Sequence, residues 1–241
     1  MRRPAQKITF AVSGVALLYV CVLLYPISSF FTRALSVSLV LCLWALLAFL
    51  SWRHRFLRVP VAAVTLTILT LFVSPGRKFE TSILAESYES ELLAYGGTTY
   101  LWGGENTLGI DCSGLVRRAL VNAAFARGIV TLNPSLIRFG FSLWWHDRSA
   151  SQIGEGYRDE SFVIGDASSV NAIVESDLRL GDLAVTSSGV HVLAYIGNRT
   201  WVEADPNIGR VVEIRVPDAE NPWFNTPVKI VRWRILDGPA V

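Results

Sequence analysis

A cysteine and a histidine in the second half of the chain have the chemistry of a nucleophile and its base. Cys112 follows Asp111, a residue type favoured at helix N-caps, so it lies in the first turn of a predicted helix. The unpaired N–H groups and the dipole of such a turn stabilise a thiolate, and they can donate to the oxyanion that forms when the thiolate attacks an amide carbonyl. A histidine suits the base, because it exchanges a proton near neutral pH. Two are available here, His146 in an irregular stretch and His191 at the start of a strand.

A third polar group should orient the imidazole, and the alternation of side chains along strands indicates which acids could reach His191. If residues 197–199 form a three-residue hairpin loop, His191 faces Asp205. Glu203, two residues earlier, then lies on the same face. A two-residue loop would turn both acids away. The sequence therefore leaves Glu203 and Asp205 as alternatives for the third residue.

The elements that must hold these groups are helices followed by strands. Apolar residues at helical spacing predict one helix from Glu80 to Tyr95 and another from Leu115 to Arg127. Residues 128–177 mix glycine, proline and polar residues, which predicts loops with short helices or strands. Helices first and strands afterwards predict an α+β domain, at residues 79–241. The predicted strands are 182–187, 191–196, 200–204, 211–216 and 227–235.

The front of the chain is apolar and carries only positive charges. Of 241 residues 51% are hydrophobic and 17% charged, and residues 1–78 hold nine Lys or Arg and no acid. Uncharged runs predict transmembrane helices at about 8–31 and 34–52, each long enough for a hydrocarbon core of roughly 30 Å, and a third at 59–73, which is shorter. A second long apolar run directly after the first is not typical of a cleaved signal peptide. Residues 1–78 are therefore predicted to be a retained anchor.

The positive residues also predict the orientation of this anchor, since short loops rich in Lys and Arg stay in the cytoplasm. The first loop contains Arg33 alone, and only Arg77 and Lys78 follow the third span. Three spans with the N-terminus inside would place residues 79–241 outside the cytoplasmic membrane of a bacterium. The bases on the cytoplasmic side are then Arg2, Arg3, Lys7, Arg53, Arg55 and Arg58, with His54 beside them.

The remaining composition argues against several other classes of protein. Residues 79–241 carry a net charge of −7, which gives little support for nucleic-acid binding. Cys21 and Cys42 fall in the predicted spans, so Cys112 has no disulfide partner in its domain, and the Cys and His spacing predicts no metal site. The glycine pairs lack the ending of a phosphate-binding loop. We predict neither a metal nor a cofactor.

Four short segments follow one another in the second part of the chain. They are Tyr100-Leu101-Trp102-Gly103-Gly104, Asp111-Cys112-Ser113-Gly114-Leu115-Val116, Gly181-Asp182-Leu183, and His191-Val192 leading to Tyr195-Ile196-Gly197. In this order they resemble the NlpC family of cell-wall cysteine peptidases, and residues 148–152 resemble a motif that these enzymes carry between the cysteine and the histidine. The resemblance covers about residues 85–206 and implies a papain-like α+β fold with an antiparallel sheet.

The resemblance implies roles for individual residues. Cys112 is the nucleophile, and His191 rather than the other histidine is the base. The third residue of the family falls about a dozen positions after the histidine, which maps onto Glu203. The family often has His, Asn or Gln there, so Asp205 stays an alternative. Tyr100 matches an active-site tyrosine whose hydroxyl can donate to the thiolate or the oxyanion. Substrate contacts are predicted at Trp102, Gly103 and Ser113.

The resemblance further implies that the protein is a membrane-anchored endopeptidase that hydrolyses amide bonds in peptidoglycan stem peptides. The predicted partners are these peptides and the lipid bilayer, without nucleic acid. Two alternatives stay open. One is an amidase or acyltransferase of the same fold that acts on another amide or lipid substrate, and the other is a non-catalytic module that binds the wall. The intact pair of Cys112 and His191 speaks against the second alternative.

Overall fold

Three helices form the N-terminal part of the protein in a computed structural model, which describes residues 4–53 and 55–238. Within these residues, Phe30–Trp52 and Phe56–Val73 are long and apolar enough to cross a membrane, whereas the apolar stretch Phe10–Leu24 is shorter. Almost no residue of the two longer stretches is buried, which distinguishes them from core helices of a globular domain. The three helices are α1, Pro4–Leu24; α2, Phe30–Arg53; and α3, Arg55–Val73.

The helix boundaries differ from the predicted spans. Helix α1 ends at Leu24, earlier than predicted, because Pro26 has no N–H to donate and disfavours helical backbone at the residue before it. Helix α3 begins at Arg55, also earlier than predicted, and continues through Pro60. Its 19 residues give about 28 Å of helix. Three residues used above to predict orientation, Arg2, Arg3 and His54, lie outside the described residues.

Four α-helices lie between α3 and the first strand of the main sheet, and two of them confirm predicted helices. These two are α4, Thr81–Leu93, and α5, Cys112–Val130. Helix α6, Pro134–Trp145, lies in the region that was predicted to be irregular. Its start nevertheless carries a local signal, because the side chain of Asn133 caps the helix and a proline occupies its first position. The short helix α7 is Ala150–Gly154.

Antiparallel strands build the rest of the domain, so the predicted α+β class with an antiparallel sheet is confirmed. A two-stranded ribbon, β1 (Glu105–Asn106) and β2 (Gly109–Ile110), precedes α5. The main sheet has six strands in the order β3–β8–β4–β5–β6–β7. Five of them match predicted strands, β3 was not predicted, and the end of the last predicted strand forms a short helix, α8 (Arg234–Asp237). The six strands are β3, Ser161–Ala167; β4, Leu183–Thr186; β5, Val192–Tyr195; β6, Thr200–Asp205; β7, Arg210–Arg215; and β8, Val228–Trp233.

The alternation of side chains along the sheet divides the core into two layers. Val192 of β5 packs into the larger layer, between the sheet and helices α4 and α5. Leu193 packs into the smaller layer on the opposite face, which the 3-10 helices Val170–Ala172 and Pro222–Asn225 cover. Because alternate residues share a face, His191 lies on the side of Leu193. The covering segment 222–225 is therefore in position to contact the histidine.

Contacts cross the predicted boundary between the anchor and the domain. Arg138 of α6 donates to three carbonyl oxygens at the end of α3, and the shortest of these bonds, 2.7 Å, is to Ser74. Phe141 of the same helix packs edge-on against Phe72, with ring centroids 6.2 Å apart. Helix α6 thus caps the carboxyl end of α3 and fixes the domain against it.

One buried ion pair provides a test of this fold. Arg232 donates from Nε and Nη2 to the two carboxylate oxygens of Asp182, at 2.7 Å each, and both side chains are nearly inaccessible. Asp182→Ala leaves the guanidinium without its main partner, so we expect the free energy of unfolding to fall by about 3–5 kcal/mol. Thermal unfolding of the full chain in detergent measures this.

The matched control is Asp159→Ala, which removes the exposed ion pair with Arg234. We expect this change to cost less than about 1 kcal/mol. Equal losses of stability in the two variants would contradict the assignment of Asp182 to the core.

Candidate active site

Asp111 holds the start of helix α5. Its Oδ1 accepts hydrogen bonds from the backbone N–H of Gly114 at 2.6 Å and from the hydroxyl of Ser113 at 2.9 Å. Its Oδ2 accepts from the N–H of Gly103 at 2.8 Å. The predicted N-cap is confirmed, and the same carboxylate ties the loop before it to the helix. Burial raises the pKa of the Asp111 carboxyl, and these hydrogen bonds oppose that shift.

Cys112 is the first residue of α5 and is buried. Its N–H and that of Ser113 have no preceding helical turn to donate to, so they are the groups available to an oxyanion. The N–H of Gly114 belongs to the Asp111 cap instead. Gly114 is needed for packing as well as for access, because a Cβ there would lie 2.2 Å from the carbonyl oxygen of Gly104.

His191 meets both Cys112 and Glu203. Its Nε2 lies 2.5 Å from Oε2 of Glu203. The Cys112 side chain is close enough to raise the pKa of the imidazole, and its Sγ lies 4.0 Å from the carbonyl oxygen of Val190, the residue before the histidine. Since Nε2 is engaged by the carboxylate, Nδ1 is the nitrogen left for the thiol. Both His191 and Glu203 are buried. The order of contacts, cysteine to imidazole to carboxylate, is that of an activated nucleophile.

The hairpin between β5 and β6 produces this contact. Ala194 pairs with Val202 and Tyr195 pairs with Trp201, which confirms a three-residue loop at 197–199. Of the two alternative acids, Glu203 is the one that contacts the histidine. Asp205 accepts hydrogen bonds from backbone N–H groups in the turn that follows β6.

The protonation of His191 reflects opposing influences. Burial, the largest of them, lowers its pKa, but the hydrogen bonds to Cys112 and Glu203 and the negative charges of both groups raise the pKa to about 9. The imidazolium form therefore persists through neutral pH and is lost as the pH rises through about 9. A thiolate facing this cation is stabilised by it.

Two residues that the sequence analysis missed complete the surroundings of the histidine. The amide of Asn221 donates to Glu203 Oε1 at 2.7 Å and to Asp205 Oδ2 at 3.0 Å, so it separates two neighbouring carboxylates. Trp223 stacks on the His191 ring with centroids 4.3 Å apart and an angle of 21°. The sequence Asn221-Pro222 signals the start of a short helix, but no local pattern connects it to Glu203.

The thiol opens onto a cleft of about 560 Å³, which the predicted substrate residues line. Tyr100 is half-buried there, and burial, followed by the charges of Cys112, Asp111 and Asp205, raises its pKa to about 12. Its hydroxyl therefore stays a hydrogen-bond donor. The lining includes Tyr100, Trp102, Gly103 and Ser113, all predicted, and Arg148 and Gln152 of the segment between the cysteine and the histidine.

The second histidine and the intervening motif have local structural roles. Nδ1 of His146 lies 2.9 Å from the carbonyl oxygen of Ser142, one turn earlier in α6. Ser149 and Gln152 form a capping box at α7. Arg148 is buried and pairs with Glu160 at 2.6 Å. Among the described residues, no three His, Cys, Asp or Glu side chains are grouped so that they could hold a metal ion.

A sequence model of the NlpC/P60 family matches residues 97–232 of this chain. The match agrees with the predicted papain-like fold. No curated protein sequence matches the chain. Solved structures similar to it include an NlpC/P60 family protein from Bacillus cereus, with 15% identity and a TM-score of 0.42 over 68% of this chain and 42% of that one.

Two further structures are similar at low identity. The NlpC/P60 domain of the peptidoglycan hydrolase SagA has 19% identity and a TM-score of 0.34 over 61% of this chain and 97% of that one. The peptidoglycan hydrolase RipB from Mycobacterium tuberculosis has 20% identity and a TM-score of 0.40 over 78% and 89%.

The contact between Cys112 and His191 predicts the reactivity of the thiol. In the full chain carrying Cys21→Ser and Cys42→Ser, iodoacetamide should alkylate Cys112 rapidly below pH 7. Adding His191→Ala should slow alkylation at pH 7 at least about tenfold, because the thiolate loses its cationic partner. Mass spectrometry of timed samples measures both rates.

His146→Ala is the control and should change the rate less than about twofold, since this ring bonds within α6. Alkylation that begins only above about pH 8.5, as for a free thiol, would contradict the activated pair.

Proposed function

This chain belongs to the NlpC/P60 family, and on that premise we propose that it is a membrane-anchored cysteine endopeptidase that hydrolyses amide bonds in peptidoglycan stem peptides. The observation that carries the proposal is the connected arrangement of Cys112, His191 and Glu203 beside an open cleft. The substrate class is the one that the resemblance of the motifs implies.

Catalysis proceeds in two steps. The Cys112 thiolate attacks the amide carbonyl, and the N–H groups of Cys112 and Ser113 with the Tyr100 hydroxyl donate to the oxyanion. His191 then gives its proton to the leaving amine, the C–N bond breaks, and a thioester to Cys112 remains. In the second step His191 takes a proton from water and the resulting hydroxide attacks the thioester carbonyl. The C–S bond breaks, the carboxylic acid is released, and the Cys112 thiolate and the protonated His191 are restored.

Glu203 orients His191 and supports its charge. A buried carboxylate bound to Nε2 fixes the ring so that Nδ1 faces the thiol, and it favours the imidazolium that forms in each step. Asn221 holds the carboxylate in turn, and Trp223 restricts rotation of the imidazole. Both are positioning residues in this proposal.

The anchor is proposed to cross the membrane three times, with the catalytic domain outside the cytoplasm. The turn between α1 and α2 and the end of α3 both contact the domain, at Gly103 and Arg138 respectively. Those two ends of the anchor must therefore share one side of the membrane, as three crossings require. The positive residues of the other loop favour the cytoplasm for the opposite side.

The catalytic proposal predicts an order of activities on purified wall fragments, followed by mass analysis of the products. Cys112→Ala should abolish cleavage. Glu203→Gln should keep more activity than Glu203→Ala, because the amide still accepts a hydrogen bond, and His191→Ala should lose about 10²–10⁴-fold in activity.

The pH profile is a separate prediction: in the native enzyme kcat/KM should fall as the pH rises through about 9, where His191 loses its proton. Glu203→Gln should move this fall in kcat/KM to lower pH, because the imidazolium loses its carboxylate partner.

The control is Glu213→Gln, on the neighbouring strand β7 and exposed to solvent, which should leave both the rate and the pH profile unchanged. An unaffected Glu203→Ala enzyme that is folded as judged by thermal unfolding would exclude Glu203 from the reaction.

The topology is tested with reporters fused after residue 241. An enzyme active only outside the cytoplasmic membrane should be active there, and a cytoplasmic reporter should be silent, because three crossings carry the chain out. The reverse result would place Cys112 and His191 in the cytoplasm, where there is no assembled wall, and would contradict the endopeptidase proposal.

A further inference from the structure

We propose that the peptide bound in the catalytic cleft is carried by a molecule anchored in the same membrane as the enzyme, and that the turn between α1 and α2 forms one wall of that cleft. This inference rests on the proposed function and narrows its substrate class. The substrate is thus a lipid-linked peptide at the membrane surface rather than a strand of distant wall.

The backbone of the turn pairs with the loop that leads to the active site. The N–H of Ser28 donates to the carbonyl oxygen of Gly103 at 2.9 Å, and the N–H of Glu105 donates to that of Pro26 at 2.9 Å. Between them, Ile27 and Gly104 form an antiparallel bridge. Ser28 lines the cleft together with Cys112. The turn between α1 and α2 is thus a structural part of the site.

A buried ion network fixes this arrangement. Arg33, in the first turn of α2, lies 2.9 Å from Oε2 of Glu105 and 3.4 Å from Asp147. Arg117 of α5 lies 2.5 Å from the other oxygen of Glu105 and 2.8 Å from Asp147. Both arginines are almost fully buried. Removing one partner from a buried ion network is strongly destabilising, because it leaves an unpaired buried charge. The pair of helices α1 and α2 with its turn therefore stays docked on the domain.

The position of the turn sets the height of the cleft above the bilayer. Helix α1 ends at Leu24, and the turn 25–29 that follows lies where the chain leaves the hydrocarbon, in a headgroup layer about 5–8 Å thick. The side chain of Asn106 donates to the carbonyl oxygens of Leu23 and Tyr25, at 3.3 Å each, which holds the β1–β2 ribbon at the same level. A wall of the cleft is therefore at the membrane surface.

Exposed apolar side chains lie on the turn, on the loop that pairs with it and between the strands of the β1–β2 ribbon. Trp102 is 77% exposed, Leu108 is 59% exposed and Tyr25 is 54% exposed. Trp and Tyr at the end of a membrane helix are typical of the interface between hydrocarbon and water. Tyr25 directly follows α1, so headgroups and acyl chains are the surroundings that fit these side chains. A peptide attached to a lipid can reach the cleft from this layer without an intervening gap.

A second attachment prevents the domain from lifting away. Arg138 bonds to the end of α3, and Phe30 at the start of α2 packs edge-on against Trp145, with centroids 5.9 Å apart. The domain is thus held at two ends of the anchor. The cleft therefore stays at a fixed height above the bilayer. The length of tether that a lipid-linked substrate needs to enter the cleft can then be measured.

The test uses the full chain in liposomes with one quenched-fluorescent stem peptide in several forms. The peptide is either soluble or joined to a diacyl lipid by a spacer of about 10 Å or about 60 Å, at its amino end in one set and its carboxyl end in another. We expect the short-spacer peptide, in at least one of the two sets, to be cleaved at least as fast as the long-spacer one. The reason is that the cleft meets the surface and effective concentration falls as a tether lengthens.

The outcomes separate this inference from the proposed function. If both short-spacer forms were cleaved more slowly than the matching long-spacer forms, or were not cleaved while soluble peptide was, the cleft would lie away from the membrane. That result would overturn the inference, while the endopeptidase proposal stands. No cleavage of any form would overturn both.

A matched pair of variants tests the wall itself. Ser28→Trp places a large side chain into the cleft and should lower kcat/KM on the tethered peptide at least about tenfold, mainly through KM. Ser38→Trp, on the exposed side of α2, should change it less than about twofold. Alkylation of Cys112 reports whether the site is still assembled, and equal effects of the two substitutions would exclude the turn as a wall of the cleft.

Discussion

The N-cap of helix α5 is the interaction on which the rest of the site depends. One carboxylate, that of Asp111, binds the N–H of Gly114, the hydroxyl of Ser113 and the N–H of Gly103. These bonds fix the first helical turn relative to the preceding loop. The Asp111 carboxylate alone therefore fixes the positions of both the Cys112 thiol and the adjacent wall of the cleft. The close approach of Gly104 to Gly114 leaves no room for a Cβ at this point. Cys112 is thereby placed at a helix N-terminus whose remaining N–H groups face the cleft.

The sheet supplies the other half of the chemistry by strand register. A three-residue loop aligns β5 and β6 so that His191 and Glu203 share a face, at the end of the sheet that meets α5. The face opposite the helices is covered by the segment that contains Asn221 and Trp223. Those side chains surround the imidazole and carboxylate, so the pair is excluded from water. Burial of this kind strengthens the interaction between charges, and it also makes an unpaired carboxylate costly.

The N-terminal helices and the candidate active site share one set of constraints. The loop that Asp111 ties to α5 is the same loop that pairs with the turn between α1 and α2. Arg33 continues this connection into α2 through Glu105 and Arg117. A movement of the ends of α1 and α2 would therefore be transmitted to the first turn of α5 through these two sets of contacts. In this protein the N-terminal helices are joined to the site by hydrogen bonds and ion pairs as well as by the chain itself.

The sequence by itself determined the features that depend on local pattern. Apolar runs without charge identified three N-terminal helices, and Asp111 before a helical pattern identified the N-cap. A three-residue loop at 197–199, one of two loop lengths left open, implied that Glu203 and Asp205 share the face of His191. These follow from the periods of helix and strand, which are properties of neighbouring residues. The irregular segment before residue 177 hid helix α6 and strand β3, because its glycines, Pro134 and mixed polarity mask the period.

Only the tertiary structure decided which groups meet. The alternation of side chains along a strand shows which face of the sheet a residue occupies, but not which group its side chain contacts. The choice of Glu203 over Asp205 therefore needed the positions of the imidazole ring and of Asn221. The partner of Arg33 lies 72 residues away in Glu105, and no periodicity relates them. Contacts between distant segments arise from how packed layers and helix ends come together, and that information is distributed over the whole chain rather than held in any one motif.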